Sequence, residues 1–271
     1  MGPNEKKTAL ITGAGGGIGL ELTRLLASDG YNVVIVGRDR PRLELLKVDL
    51  QLKYRIRVQC ETRDLSDTRA PRQLWADLQA AGTEIDVLIN NAGVGLYGLL
   101  VEQDPDALDQ MVQLNVATLT LLTRLALPGM KLRHWGRILN VASIAAYQPG
   151  GPRIAAYYAT KAYVLSFSKG LARELEGSGV SVTVLSPGPT DTSFDEQAGA
   201  STDMLYKRLP KMTAAAVARA GYDGMQRQSI AVIPGLMTKA LAVAGELPPR
   251  RIALEVNNLL WMPRPSSRID R

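Results

Sequence analysis

The fold is decided by residues 8–26, TALITGAGGGIGLELTRLL. The first five residues form a short apolar and β-branched run, which predicts a buried strand. The leucines at positions 20, 22, 25 and 26 have helical spacing. The glycines in between permit left-handed backbone angles and a close approach of the main chain to a ligand, and the following helix directs its unpaired amides towards that ligand. A strand, a glycine turn and a helix in this order predict a site for the diphosphate of a dinucleotide.

Strand-like segments continue to alternate with helix-forming segments along the chain. Six further strands are predicted at residues 31–38, 57–61, 85–90, 137–141, 180–185 and 230–233. This alternation predicts an α/β fold of the Rossmann type, a doubly wound parallel sheet with helices on both faces. Ligands bind at the carboxyl ends of the strands in such sheets, so we expect the site residues in the loops that follow them.

The chain of 271 residues with 46% hydrophobic content can bury a substantial core, and no repeat or linker divides it. We therefore predict a single domain. We expect a disordered tail at 1–6, the catalytic domain at 7–234 with a lid segment at 193–209, a helical extension packed on it at 235–261, and a flexible tail at 262–271. The apolar stripe of the extension favours core or subunit interface, with a membrane-surface helix or a substrate lid as alternatives.

Composition excludes several classes of function. The formal net charge is +6, but the basic residues form no continuous block, which argues against nucleic-acid binding. Cys60 is the only cysteine, and no signal peptide or integral membrane span is recognisable, so we expect a soluble cytoplasmic protein. His134 is the only histidine, which argues against a Ser/His/Asp triad and against a metal site.

Tyr157 and Lys161 lie four residues apart in a helix-forming stretch, so their side chains share one helix face. An ammonium close to a phenol favours the phenolate and lowers the phenol pKa from about 10. Such a tyrosine can transfer a proton near neutral pH. Tyr158, three residues before Lys161, is a second candidate by spacing alone.

Five motifs in order resemble those of the short-chain dehydrogenase/reductase family. They are Thr12-Gly-x-x-x-Gly17-Ile-Gly19, Asn90-Asn-Ala-Gly93, Ser143, Tyr157-x-x-x-Lys161 and Pro187-Gly188, within residues 8–233. The resemblance implies an oxidoreductase that exchanges a hydride between a nicotinamide cofactor and a ketone, aldehyde or secondary alcohol. It selects Tyr157 rather than Tyr158 as the proton donor.

The resemblance also implies four catalytic residues. Ser143 and Tyr157 would hydrogen-bond the carbonyl oxygen, and Tyr157 would deliver the proton. Lys161 would lower the tyrosine pKa and bind the nicotinamide ribose. Asn115 would kink the long fourth helix and support a water beside the lysine. Ser143 precedes Tyr157 by fourteen residues, one more than in many relatives, so we expect a slightly longer loop.

The cofactor is expected to be NADP(H) rather than NAD(H). Gly37 and Arg38 stand where relatives that prefer NAD carry an acid, and a guanidinium suits a 2′-phosphate. Arg42 and Arg40 are expected helpers. By resemblance, the cofactor-binding residues are Gly13, Gly15, Gly17, Ile18, Gly19, Arg38, Arg42, Asp64, Leu65, Asn91, Gly93, Tyr157, Lys161, Pro187, Gly188, Thr190 and Thr192.

The expected partner is a small carbonyl or alcohol substrate, and the resemblance implies a homodimer or homotetramer. Apolar side chains predicted on the substrate side suggest an apolar substrate; they are Leu96, Tyr97, Ile144, Ala145 and Tyr147. Two alternatives stay open. One is a 3-oxoacyl thioester reductase, and the other is a sensor that binds NADP(H) without turnover.

Overall fold

The computed structural model describes residues 6–194, 198–199, 209–247 and 249–262. The expected tails at 1–6 and 262–271 lie outside these ranges except for Lys6 and Met262. The expected lid at 193–209 also lies mostly outside them.

A parallel sheet of seven strands forms the centre of the described structure, in the order β3-β2-β1-β4-β5-β6-β9. Its strands are β1 (Thr8–Thr12), β2 (Asn32–Gly37), β3 (Val58–Thr62), β4 (Val87–Asn90), β5 (Gly136–Val141), β6 (Val180–Leu185) and β9 (Ala231–Val232). The strand order reverses direction between β1 and β4, the position at which doubly wound sheets form their ligand crevice. The predicted fold class is therefore confirmed.

The described residues also form α-helices, most of which cover the two faces of this sheet. They are α1 (Gly17–Ser28), α2 (Arg40–Tyr54), α3 (Ala70–Ala80), α4 (Pro105–Val112), α5 (Leu119–Leu132), α6 (Ala155–Glu174), α7 (Ala214–Gln226), α8 (Leu236–Glu246) and α9 (Arg250–Trp261). A small second sheet pairs β7 (Thr190–Asp191) with β8 (Met212–Thr213). No helix within the described ranges is both long enough and apolar enough to span a bilayer.

Alternating strand residues bury into two cores, one on each face of the sheet. In β1, Ile11 packs on the side of α1 and α7, and Leu10 packs on the side of α3 and α5; both side chains are fully buried. Burial of a side chain of this size contributes about 2 kcal/mol. Because both faces are covered, the strands read as continuous apolar runs, and this is why the sequence predicts them well.

The expected long fourth helix is divided by an irregular turn. Between α4 and α5 the chain forms one π-helical segment, Gln113–Thr118, which includes Asn115. Insertions of this kind leave backbone groups out of regular register and bend the helix. Asn115, where a kink is expected, thus lies in a π turn.

Candidate active site

The glycine turn between β1 and α1 has the backbone that its sequence predicts. Gly13 and Gly17 have φ values of +68° and +53°, angles that residues with a Cβ rarely adopt. Gly16 stands before the first turn of α1, and no side chain caps the amides there. These amides and the positive end of the helix dipole form a ready anion site beside the turn.

Gly19 has a different role from the other glycines. It does not line the cleft described below, and a Cβ at this position would overlap the carbonyl oxygen of Gly13 and the side-chain amide of Asn91. Gly19 therefore permits α1 to pack against the turn, rather than contacting a ligand itself.

Asn91 fixes the same turn from the end of β4. Its Nδ2 donates to the carbonyl oxygens of Thr12 at 3.0 Å and Gly13 at 3.1 Å. The backbone N–H of Asn91 in turn donates to Oγ1 of Thr12. The neighbouring Asn90 connects β4 to β5 and α5, because its Nδ2 donates to Asn140 and Thr123.

Basic side chains surround the far end of the cleft, at the carboxyl ends of β2 and β3. Arg38 and Arg42 both line it, and the guanidinium of Arg42 lies 3.7 Å from the Cβ position that Gly16 lacks. Asp39 begins α2 by accepting a hydrogen bond from the Arg42 amide at 3.0 Å. Arg40 is exposed and does not line the cleft. Arg42 is thus placed to reach a ligand, whereas Arg40 is not.

Asp64 and Leu65 follow β3 and line the same end. Burial would raise the pKa of Asp64, but hydrogen bonds from Ser66 and the charge of Arg38 outweigh it and lower the pKa. Arg63 also lines this end and was missed from the sequence; it pairs with Glu61 at 3.1 Å.

Ser143, Tyr157 and Lys161 meet at the opposite end of the cleft. Ser143 precedes a short 3₁₀ turn, Ile144–Tyr147, and its Oγ accepts from the Ala145 amide at 3.2 Å. Tyr157 and Lys161 lie on the first half of α6, and Nζ of Lys161 is 5.8 Å from the centre of the Tyr157 ring. Three of the four side chains predicted to be catalytic therefore line the same cleft.

Lys161 is buried, with a relative exposure of 5%. Its Nζ donates to the carbonyl oxygen of Val141 at 2.9 Å. Burial lowers the pKa of Lys161 to about 8, because the ammonium loses its hydration. At pH 7 this side chain is still mainly cationic, so the site contains a buried positive charge beside a phenol.

Asn115 supports this arrangement from behind the cleft, which it does not line. Its side chain accepts from the Val94 amide at 3.0 Å, and donates to the Val94 carbonyl at 2.9 Å and to Oγ1 of Thr160 at 3.1 Å. A Cβ on Gly93 would lie 3.1 Å from Oδ1 of Asn115 and 3.3 Å from Nζ of Lys161. Asn115 therefore ties the loop after β4 to α6, and the small Gly93 lets the lysine and the amide approach.

Tyr158, the rival of Tyr157, has a different environment. Its hydroxyl accepts a hydrogen bond from Nε1 of Trp261 at 3.0 Å. Burial raises the pKa of Tyr158 to about 12, although the bond from Trp261 opposes the rise. Tyr158 is thus poorly suited to exchange protons near neutral pH.

The loop after β6 closes one side of the cleft. Pro187, Gly188 and Thr190 line it, and Cγ2 of Thr192 lies 3.1 Å from the Cβ position of Gly17. This contact brings the loop against the glycine turn. All the predicted site residues except Gly19 and Asn115 line this one cleft, whose cavity volume is about 370 Å³.

Apolar and aromatic side chains surround the end of the cleft next to Tyr157. Ile144 and Ala145 were expected there, Phe194 belongs to the expected lid segment 193–209, and Trp261 belongs to the expected extension 235–261. Ile154 was not anticipated on this wall. The residues Leu96 and Tyr97 pack behind this wall. The placement of Tyr147 on the substrate side was wrong: the 3₁₀ turn directs its ring into another core cluster, with Leu119 and Val164.

Comparison with known proteins agrees with this geometry. Residues 7–203 match the family described as short chain dehydrogenase. A 3-oxoacyl-(acyl-carrier-protein) reductase from Rickettsia bellii is 34% identical over 212 residues, which cover 76% of this chain and 83% of the relative. D-beta-hydroxybutyrate dehydrogenase from Cupriavidus necator is 34% identical over 185 residues, which cover 67% of this chain and 70% of the relative.

A solved structure is similar over most of the chain. It is a short-chain dehydrogenase from Sphingobium yanoikuyae in complex with NADPH, with a TM-score of 0.79 and 30% identity, covering 88% of this chain and 92% of the other. The bulky-bulky ketone specific alcohol dehydrogenase from Comamonas testosteroni has a TM-score of 0.74 and 28% identity, covering 90% and 95%. With its sheet order, its cleft and the matched residues 7–203, the chain belongs to the short-chain dehydrogenase family and is an oxidoreductase that interconverts CH–OH and C=O groups.

Proposed function

We propose that this chain is an NADP(H)-dependent carbonyl reductase that acts on an uncharged, apolar ketone or aldehyde and, in reverse, on the corresponding alcohol. The observation that carries the proposal is the division of the cleft into two ends. Ser143, Tyr157 and Lys161 lie at an apolar end, and Arg38 and Arg42 lie at the other end.

The residues present fit a dinucleotide phosphate. The diphosphate fits the uncapped start of α1 at Gly16, where main-chain amides are available. A 2′-phosphate fits beside Arg38 and Arg42, because planar guanidinium groups bind phosphate oxygens in pairs. The Sphingobium relative was solved with NADPH, which supports the same preference here.

The chain's own residues supply the proton chemistry. Bound NADPH supplies the hydride to the carbonyl carbon. In this proposal Ser143 and Tyr157 hydrogen-bond the carbonyl oxygen, and Tyr157 donates its hydroxyl proton as negative charge grows on that oxygen. The buried ammonium of Lys161 favours the phenolate that remains, because opposite charges attract strongly where water is excluded.

The lining of the reactive end supports an uncharged substrate. The charged side chains that line the described cleft are Arg38, Asp39, Arg42, Arg63, Asp64 and Lys161. All but Lys161 follow β2 or β3, at the basic end. The ammonium of Lys161 is already bound to the Val141 carbonyl oxygen. A substrate carboxylate would therefore lose its hydration among Ile154, Phe194 and Trp261 with no arginine of that lining beside it, and such burial is costly.

The main test measures loss of NADPH absorbance with acetophenone, with acetoacetyl-coenzyme A and with acetoacetate. We expect turnover of the ketone, and Tyr157→Phe should lower kcat about 10²- to 10⁴-fold with NADPH affinity unchanged. Tyr163→Phe, on the exposed side of the same helix, is the matched control. Preference for the coenzyme A thioester would instead favour the acyl reductase, and NADPH binding without any turnover would favour a sensor.

A second test addresses cofactor choice. Arg38→Ala and Arg42→Ala should each reduce the preference for NADPH over NADH about 10- to 100-fold, since a hydrogen bond to a charged group contributes about 1.5–3 kcal/mol. Arg40→Ala removes an equal charge from a neighbouring residue outside the cleft and should change the preference little. Equal effects of all three substitutions would indicate a long-range effect of net charge rather than a specific site for the 2′-phosphate.

A further inference from the structure

Trp261 is the last residue of α9 and forms part of the wall at the reactive end of the cleft. Its relative exposure is 5%, although α9 exposes Ile252 and Leu259 on its outer side. Trp261 belongs to the same buried cluster as Tyr157, Tyr158 and Ile154. The wall of the cleft thus includes an indole from the far end of the described chain, in the same cluster as the catalytic tyrosine.

Two tyrosines hold this tryptophan in one orientation. Nε1 of Trp261 donates to the hydroxyl of Tyr158 at 3.0 Å, and the two rings meet edge to face with centroids 6.4 Å apart. The hydroxyl of Tyr97 donates to the Trp261 carbonyl oxygen at 2.8 Å, and its ring centroid lies 6.1 Å from that of the indole. Hydrogen bonds at both the side chain and the main chain leave the indole little freedom to swing aside.

The loop between Ser143 and Tyr157 anchors the helix that carries Trp261. The buried Asn257 donates to the Gly150 carbonyl oxygen at 2.7 Å. Gln148 donates to the Leu241 carbonyl oxygen of α8 at 2.8 Å. Gly151 lies so close to the Tyr158 ring that a Cβ would be 2.6 Å from it. The loop therefore fixes both the tryptophan's helix and the tyrosine that orients the indole.

We propose that Trp261 sets the upper size limit of the substrate at the reactive end of the cleft. This inference rests on the proposed function as a carbonyl reductase. Protein interiors are packed closely, so a rigidly held indole excludes any substrate group that would overlap it. The hydrogen bonds to Tyr97 and Tyr158 make the limit sharp, because the wall cannot adjust without breaking them.

The test compares two uncharged aryl ketones, acetophenone and the larger 4-phenylacetophenone. For each we measure kcat/KM with saturating NADPH, and in parallel the affinity for the protein loaded with NADP⁺, a mixture that cannot turn over. We expect Trp261→Ala to raise the ratio of kcat/KM for the large ketone to kcat/KM for the small ketone at least 10-fold. The ratio of the two binding affinities should rise at least 10-fold as well. Even one methylene in an apolar pocket changes selectivity by about 10- to 200-fold.

Further variants separate a size limit from general damage. Trp261→Phe keeps a ring and should shift the ratio less than Trp261→Ala, and Trp261→Leu should lie between them. Leu259→Ala, on the exposed side of the same helix, should leave the ratio unchanged. The NADPH KM should stay within about twofold in all of them, because Trp261 lies at the other end of the cleft from Arg38 and Arg42. If Trp261→Ala does not fold, the Leu and Phe variants carry the test.

The outcomes distinguish the inference from the proposed function. If no ketone is reduced but the binding ratio shifts as expected, the function is wrong and the size limit stands. If the wild type reduces ketones and neither ratio changes across the Trp261 variants, the function stands and the size limit is overturned. A uniform loss for both ketones would also overturn it, since that result indicates a structural role only.

Discussion

Replacement of Lys161 by methionine should stabilise the cofactor-free protein at neutral pH. Burial lowers the lysine pKa from 10.5 to about 8, because the buried ammonium loses its hydration. The charged lysine therefore destabilises the folded state. In the unfolded chain the same ammonium lies in water. The unfolded state therefore binds more protons between about pH 8 and 10.5, and stability rises with pH through that window. Methionine is of similar length and has no charge to bury.

The size of the effect follows from the two pKa values. Their separation corresponds to about 3 kcal/mol of destabilisation at pH 7, since one pKa unit is about 1.4 kcal/mol. The destabilisation caused by Lys161 should decrease by about 1 kcal/mol between pH 7 and 9. Between pH 7 and 10 it should decrease by between about 2 and 3 kcal/mol. Each kcal/mol moves the melting temperature by roughly 2–4 °C in a domain of comparable size.

The assay is denaturant unfolding of wild type and Lys161→Met at intervals from pH 6.5 to 10, without cofactor. The difference between the two proteins isolates the lysine, because the other titrating groups cancel. Lys169→Met, which removes an exposed lysine from the same helix, is the control for loss of a lysine that is not buried. A wild type that is more stable than Lys161→Met at pH 7, with a gap that is flat up to pH 10, would refute the reasoning.

Two further substitutions test the supports of the cleft. Gly19→Ala should destabilise the fold by about 1–3 kcal/mol in thermal melts and weaken NADPH binding, because the added Cβ would overlap the Gly13 carbonyl. Gly170→Ala is the control, because Gly170 lies in a helix with open space around the Cβ position. It should be neutral or stabilise by up to about 1 kcal/mol in the same melts. Asn115→Ala should cost about 2–4 kcal/mol, because it leaves the amide and carbonyl of Val94 without their partner; retention of wild-type stability in urea titrations would contradict this.

Most of the cleft could be predicted from the sequence, because two simple rules place it. Parallel strands end on one edge of the sheet, so the loops after β1, β2, β4, β5 and β6 converge there. An i, i+4 pair on a helix shares one face, which brings Tyr157 and Lys161 together. Both rules depend on residues close in sequence or on strand order. The predicted strand boundaries differ from the observed ones by at most two residues.

The errors concern how neighbouring segments turn and pack in three dimensions, which residue spacing does not show. Spacing could not show that Gly19 faces Gly13 rather than a ligand, since that depends on how α1 lies on the turn. The direction of Tyr147 depends on a 3₁₀ turn that no sequence pattern marked. In the sequence, Arg63 cannot be distinguished from an ordinary surface arginine. It lines the cleft because it directly follows β3.

Substrate selection depends on contacts between distant parts of the chain. The bond between Trp261 and Tyr158 joins residues 103 positions apart, and Trp261 lies beyond residues 7–203, the part that matches the family. The proton-transfer groups, by contrast, lie on one helix within the matched part. Chemistry and size limit are therefore encoded by separate stretches of chain, so changes in α9 can alter the substrate without touching Tyr157 or Lys161. If the size limit at Trp261 is correct, relatives that share the motifs but differ in this helix should reduce carbonyl compounds of different size.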